Sequence, residues 1–214
     1  MSAIRNAVRV AVLRLRGVQI GCNVQVGRHA VIAPGVVIGD QARIAEGVVL
    51  AGTVRIGAKS WIQKFVEISG NVDIGPETVV GAYSFLSTMP NASIKIGEDV
   101  LVNAYTVIGA SERVTIDDHC IFAAYVQITD ASHGIHDPAE LTKHAEFDHA
   151  PVHIHRNVWL GSGAMVTMGV EIGEGCVIGA KALVNRSLPR RSVAYGIPAR
   201  VVRTRDAEEV VEAR

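Results

Sequence analysis

Residues 20–74 read IGCNVQVGRHAVIAPGVVIGDQARIAEGVVLAGTVRIGAKSWIQKFVEISGNVDI. Steps of six from Ile20 meet Val26, Ile32, Ile38, Ile44, Leu50, Ile56, Ile62, Ile68 and Ile74, and continue through Val80 and Leu86. The residue after each anchor is very often small (Gly21, Gly27, Ala33, Gly39, Ala45), and the fourth after it is small or β-branched (Val24, Ala30, Val36, Ala42, Val48). Insertions of four residues before Ile96, two before Ile116 and 20 before Ile154 shift the frame, which then runs to Val184. A period of six is neither the helical 3.6 nor the two-residue alternation of one strand. It fits a triangular coil with one short strand per side, two inward residues per hexad and a small residue at each corner. Fixed internal repetition of this kind marks a solenoid. The expected fold is therefore all-β: a parallel β-helix of about eight triangular coils over residues 18–190. A capping segment (1–17), a long loop (134–153) after His133 and a C-terminal flank (191–214) complete the chain. Stacked at the strand spacing of about 4.8 Å, eight coils would make a prism roughly 38 Å long.

Composition agrees with a narrow interior. The chain holds 32 Val and 20 Ile against 9 Leu, and aromatic residues are only 5% of 214. β-branched side chains favour extended backbone, and helical cores lean on Leu. Compact fillers suit a triangular cross-section, and large rings would not fit. A hydrophobic share of 49% excludes disorder. Formal net charge is zero, so no global field draws the chain to nucleic acid or to a membrane. No run of 18 apolar residues predicts a transmembrane segment. The basic N-terminal stretch, with Arg5, Arg9, Arg14 and Arg16, is a poor signal peptide and reads as a cap, with a membrane-surface role as the alternative. The cysteines Cys22, Cys120 and Cys176 are odd in number and widely spaced, which gives no disulfide framework and makes a reducing, cytoplasmic setting the default.

Six of the eight histidines lie in one stretch: His133, His136, His144, His149, His153 and His155. Their spacing matches no familiar metal motif, so no metal is expected. A long loop leaving a rigid prism is a natural place for function. Between Lys181 and Arg205 stand seven basic residues and no acid, a local positive field suited to phosphates.

The repeat resembles that of the hexapeptide-repeat acyltransferase superfamily, whose members form left-handed parallel β-helices; the handedness is implied by the resemblance alone. The segments TIDDHCIFAAYVQITDASHG, APVHIHRNVWLGSGAMVTMGVEIGEGCVIGAKALVNRSLP and YGIPARVVR resemble the maltose/galactoside O-acetyltransferase branch and its polysaccharide O-acetyltransferase relatives. The resemblance implies an acetyl-CoA-dependent acetyl transfer to a hydroxyl of a sugar or sugar-containing acceptor, direct and without an acyl-enzyme. His133 would be the general base, a role that suits an imidazole near neutral pH. Asn103 would line the acceptor pocket, although asparagine also suits a corner turn. Trp159 would stand near the acyl group. Gly161, Ser162, Gly179 and Ala180 would face the pantetheine arm, and Asn185, Arg186, Arg200 and Arg203 the nucleotide end. The family's usual homotrimer would place each site between subunits. Ser111 stands where the sugar enzymes carry an acid, and about four additional coils stand in place of their N-terminal helical region. The first departure leaves the exact acceptor open; the second favours the polysaccharide-modifying or nucleotide-sugar branches over simple sugar acetylation. N-acetylation of an amino-sugar is the nearest variant. Two other readings stay open: a γ-carbonic-anhydrase-like metalloenzyme, of which WIQKF is a faint echo, and a non-catalytic β-helix scaffold. Trp61 reads as a surface or interface residue.

Overall fold

The computed structural model describes residues 3–135 and 141–205; His136 and the acidic run 206–212 lie outside the described residues. The chain is a left-handed parallel β-helix. Strands Gln19–Ile20, Gln25–Val26 and Val31–Ile32 start three faces, numbered here in that order. On each face the next coil pairs in parallel and in register: Ile20 with Ile38, Val26 with Ile44, Ile32 with Leu50. The register carries through every insertion, so Ile116 still meets Ile154 and Ile128 still meets Val166. Nearly all the anchors are buried, from Val26 at 1% exposure to Ile108 and Val166 at 0%. Burial of each such side chain contributes about 1.5–3 kcal/mol. One ring enters this interior completely: Phe122 stands at an anchor position and is fully buried.

The three edges between the faces differ. From the first to the second face, most coils turn on glycine, at Gly21, Gly39, Gly57, Gly75, Gly97 and Gly173. From the second to the third, the third corner residue has positive φ and points outward. Phe65, Tyr83, Tyr105 and Tyr125 occupy it in successive coils and stack at 5.2, 5.3 and 5.0 Å between centroids. From the third to the first run all three insertions. We call these the glycine, aromatic and insertion edges.

Both ends of the stack are covered. A helix, α1 (Ala3–Leu15), lies over the first coil. Its Asn6 side chain donates to the Val24 carbonyl and accepts from Val26 N–H, while Arg9 donates to the Val26 carbonyl and Arg14 to that of Ile20. These groups replace the backbone partners that a preceding coil would have supplied, which protects an open sheet edge. The helix was not evident in the sequence because its apolar residues are split: Leu13 is buried and Val10 packs on the core beside Asn6 and Arg9, while Ile4, Val8, Val12 and Leu15 face solvent. At the other end, Ser192–Gly196 adds one more parallel rung against Val177–Ile178, beyond the expected limit at residue 190, and folds back on Ala199–Thr204. Among the described residues, no helix is long and apolar enough to cross a membrane.

The core gives a paired test. Ile108→Ala should lower unfolding free energy by about 2–5 kcal/mol, because neighbouring coils cannot collapse into the void. The Thr106 hydroxyl, by contrast, is buried without a hydrogen-bond partner, so Thr106→Val should be neutral or stabilising by about 1 kcal/mol. Urea denaturation monitored by circular dichroism measures both.

Candidate active site

The 20-residue insertion does not leave the prism as a plain loop. Ala131–His133 and Phe147–His149 form an antiparallel hairpin in which His133 pairs with Phe147. The two rings lie 4.4 Å apart between centroids, so Phe147 braces the imidazole while leaving it exposed. Gly134 permits the close approach: its N–H donates to the Glu146 carbonyl at 2.8 Å, and a Cβ there would lie 2.6 Å from that oxygen.

Asp130, three residues before His133, is fully buried. Its carboxylate accepts from the backbone N–H groups of Ser111 (2.6 Å), Glu112 (2.8 Å) and Arg113 (2.7 Å). The Ala150 N–H donates to the Asp130 carbonyl, closing the base of the insertion. Charged acceptors make the stronger hydrogen bonds. The carboxylate thus holds the two-residue insertion, including Ser111, against the coil that launches the His133 hairpin. Sequence reasoning missed Asp130 and Phe147. A lone acid two residues after the anchor Ile128, in ITD, was the available signal for the first.

The other expected residues fall into separate groups. Asn103, Gly161, Ser162, Gly179 and Ala180 share the aromatic edge, and exposed Trp159 flanks it on the second face. There the Asn103 N–H donates to the Phe122 carbonyl and its own carbonyl accepts from Ser84 Oγ, while Ser162 Oγ donates to the Ala124 carbonyl. Asn185 and Arg186 are exposed on the insertion edge with His133. Arg200 and Arg203 lie on the terminal hairpin, where an Arg200 guanidinium nitrogen donates to the Ala199 carbonyl. Within one chain, His133 and Asn103 therefore stand on opposite edges of the third face. Trp61 is partly exposed on the second face, with the Arg43 guanidinium 5.0 Å above its ring.

The cysteines offer no nucleophile for acyl transfer at Cys120 or Cys176. Burial raises the Cys120 thiol to about 11, against partial relief from backbone hydrogen bonds, and raises Cys176 in the same way. Cys22 is exposed. His153 and His155 do not join His133. They project at the first face and glycine edge, near Asp117 and Glu171, and His155 holds the Glu171 carboxyl below its usual range.

Asp130 is open to a direct test. Asp130→Asn keeps the shape but sets an NH2 group against backbone donors. It should cost about 1.5–3 kcal/mol in thermal or denaturant unfolding, and raise amide hydrogen exchange at residues 111–113.

Comparison with known proteins agrees with the repeat and the fold. Residues 17–52 and 151–186 match the bacterial transferase hexapeptide (six repeats) family. The galactoside O-acetyltransferase of Escherichia coli K12 is 37% identical over 112 residues, covering 52% of this chain and 54% of that protein. A putative lipopolysaccharide biosynthesis O-acetyl transferase of the same organism is 33% identical over 117 residues, covering 51% of this chain and 60% of that protein. The chain thus spans little more than half the length of these relatives. In three dimensions, the UDP-N-acetylglucosamine acyltransferase of Campylobacter jejuni superposes with a TM-score of 0.70 at 16% identity, over 88% of this chain and 71% of that one. By repeat, fold and sequence, this chain resembles the hexapeptide-repeat acyltransferases, on the side of that superfamily where the galactoside O-acetyltransferases lie.

Proposed function

We propose that the protein is an acetyl-CoA-dependent O-acetyltransferase acting on a sugar or sugar-containing acceptor. The reading is supported above all by the setting of His133: exposed, braced by Phe147, and raised on a hairpin whose base Asp130 fixes. A general base must be accessible and held in one orientation. His133 takes the proton of the acceptor hydroxyl as that oxygen attacks the thioester carbonyl of acetyl-CoA. The tetrahedral intermediate then collapses, the C–S bond breaks, and the imidazolium returns its proton to the CoA thiolate. Backbone N–H groups or a positioned side chain stabilise the oxyanion. Asn103 contacts the acceptor, Trp159 the acyl group, and Gly161, Ser162, Gly179 and Ala180 the pantetheine arm. Asn185, Arg186, Arg200 and Arg203 hold the nucleotide phosphates.

His133 lies on the insertion edge and Asn103, Gly161, Ser162, Gly179 and Ala180 on the aromatic edge of one prism, so the complete site forms between copies. The insertion edge of one copy meets the aromatic edge of the next, and a threefold axis closes the arrangement. The aromatic edge suits such a contact. Tyr83 (52% exposed), Tyr105 (46%) and Tyr125 (61%) lie between exposed Leu101, Ile121 and Trp159 on one side and Phe85 and Val107 on the other. Apolar surface this continuous marks an interface.

With acetyl-CoA and a panel of sugar, polysaccharide and nucleotide-sugar acceptors, free thiol release should appear for at least one acceptor. His133→Ala should lower kcat by about 10²–10⁴-fold with CoA affinity unchanged; full turnover by this variant refutes the base assignment. Light scattering should give three chains per particle. Tyr105→Asp should shift the particle toward single chains and remove transfer while the fold persists by circular dichroism.

A further inference from the structure

We propose that Asp117, His153 and His155 bind a divalent first-row transition-metal ion, with Zn²⁺ as the expected occupant. The site lies at the glycine edge, away from the two edges that carry His133 and Asn103. The first observation is a break in the repeat. After the first-face anchors the chain places Gly21, Gly39, Gly57, Gly75 and Gly97, and later Gly173, but Asp117 and His155 occupy the two positions between. That corner is tight. A Cβ at Gly39 would lie 2.6 Å from the Ala58 backbone nitrogen, and one at Gly97 would lie 2.7 Å from that of Asp118. The ladder nonetheless runs through both departures, since Asp117 N–H donates to the Ile154 carbonyl and His155 N–H to that of Ile172. Two successive coils thus place metal-ligating side chains where the repeat otherwise excludes any side chain. His153 lies in the middle of strand Val152–Ile154, two residues before the corner residue His155, and its ring meets the same Asp117 carboxylate.

The second observation is geometric. His153 Nε2 lies 3.1 Å from both Asp117 carboxylate oxygens, and His155 Nδ1 lies 3.4 Å from Oδ2. One ligand atom from each residue falls within 4.8 Å of the others, and the imidazoles are 3.9 Å apart between centroids. Ligands at about 2.0–2.1 Å in tetrahedral geometry stand roughly 3.3 Å from one another, so both Asp117–histidine spacings already suit an ion in place of the shared protons. The third observation is the outer partner. The remaining nitrogen of His155, Nε2, meets Glu171 Oε1 at 2.6 Å. A carboxylate behind a metal-bound imidazole fixes its tautomer and raises its basicity. Two imidazoles and one carboxylate suit Zn²⁺, Co²⁺ or Ni²⁺ better than Ca²⁺ or Mg²⁺. Three protein ligands leave a fourth position open. Hollows of about 400 and 520 Å³ lie to either side, one lined by His153 and the other by His155, and both by Glu171 and Ser187.

The test uses the full chain stripped with chelator and reads no acetyl transfer, so it stands apart from the proposed reaction. Zn²⁺ is titrated by calorimetry, and Co²⁺ by its visible ligand-field absorption. One ion per chain is expected, with an intense tetrahedral Co²⁺ band. Glu171→Gln should weaken binding by about 10–100-fold, and His153→Ala or His155→Ala by more. His133→Ala and His149→Ala should bind as the unmodified chain does. Should a histidine variant unfold by circular dichroism, Asp117→Asn, which keeps side-chain volume, carries the same expectation. Absence of saturable binding by the unmodified chain, or binding unchanged in folded Asp117 and His153 variants, overturns the site and leaves a chain of ion pairs.

Discussion

The interior of the triangular coil has room for one aliphatic anchor per face and one small or β-branched residue beside it, and everything else in the molecule is arranged around that limit. Anchors such as Ile38, Ile56 and Ile74 stack directly on one another at the spacing of hydrogen-bonded strands. Volume added at one level must be taken from the next, which is why Val and Ile dominate and only Phe122 brings a ring fully inside. The stacked register also fixes where variation is possible. A residue inserted within a face would turn every later anchor outward. A residue inserted at a corner loops out and leaves the ladder whole.

The edges inherit that freedom unequally. At the aromatic edge, left-handed corner residues project their side chains outward one coil apart, so four rings stack face to face and present only their rims. Such a column is stiff, because each ring is held by the next. At the insertion edge the chain leaves the prism, and flexibility would follow if nothing opposed it. Asp130 opposes it: a buried carboxylate satisfied by three backbone donors ties the short insertion to the root of the long one. Losing any partner would strand a buried charge, and that asymmetry keeps the corner in one arrangement.

Periodicity revealed the fold in the sequence because one constraint repeats along most of the chain. Features that depend on a single pairing across coils were not legible. The hairpin around His133 rests on Gly134 admitting the Glu146 carbonyl, twelve residues away through the loop. The N-terminal helix escaped notice because it divides its apolar residues between core and solvent, with Leu13 and Val10 inside and Ile4, Val8 and Val12 outside, and its Asn6 and Arg9 serve the first coil. Burial of Asp130 is set by a corner 17–19 residues earlier. The Asp117 and His153 side chains meet across 36 residues because an entire insertion separates adjacent coils. The spacing of the loop histidines concealed this. The visible signs were narrower: an H-x-H pair at the end of a strand, and two breaks in a run of corner glycines. Asn103, Gly161 and Ser162 share an edge as the repeat period requires, yet nothing in the period shows that His133 belongs to a different edge until the corners are counted.

A solenoid couples each coil only to its neighbours, so the cost of an irregularity stays local. That explains the distribution of chemistry along the prism. The first coils, up to Leu86, hold the repeat without a gap and carry no insertion. The coils from Ile96 to Ile172 collect the short corner insertion, the buried Asp130, the His133 hairpin and the Asp117–His155 pair. Irregularities spread evenly would weaken every interface between coils; gathered together, they are supported from both sides by regular stacks. The N-terminal coils then have a physical role of their own. They lengthen the aromatic column to Phe65 and extend the apolar surface beside it, which steadies the aromatic edge next to the irregular coils.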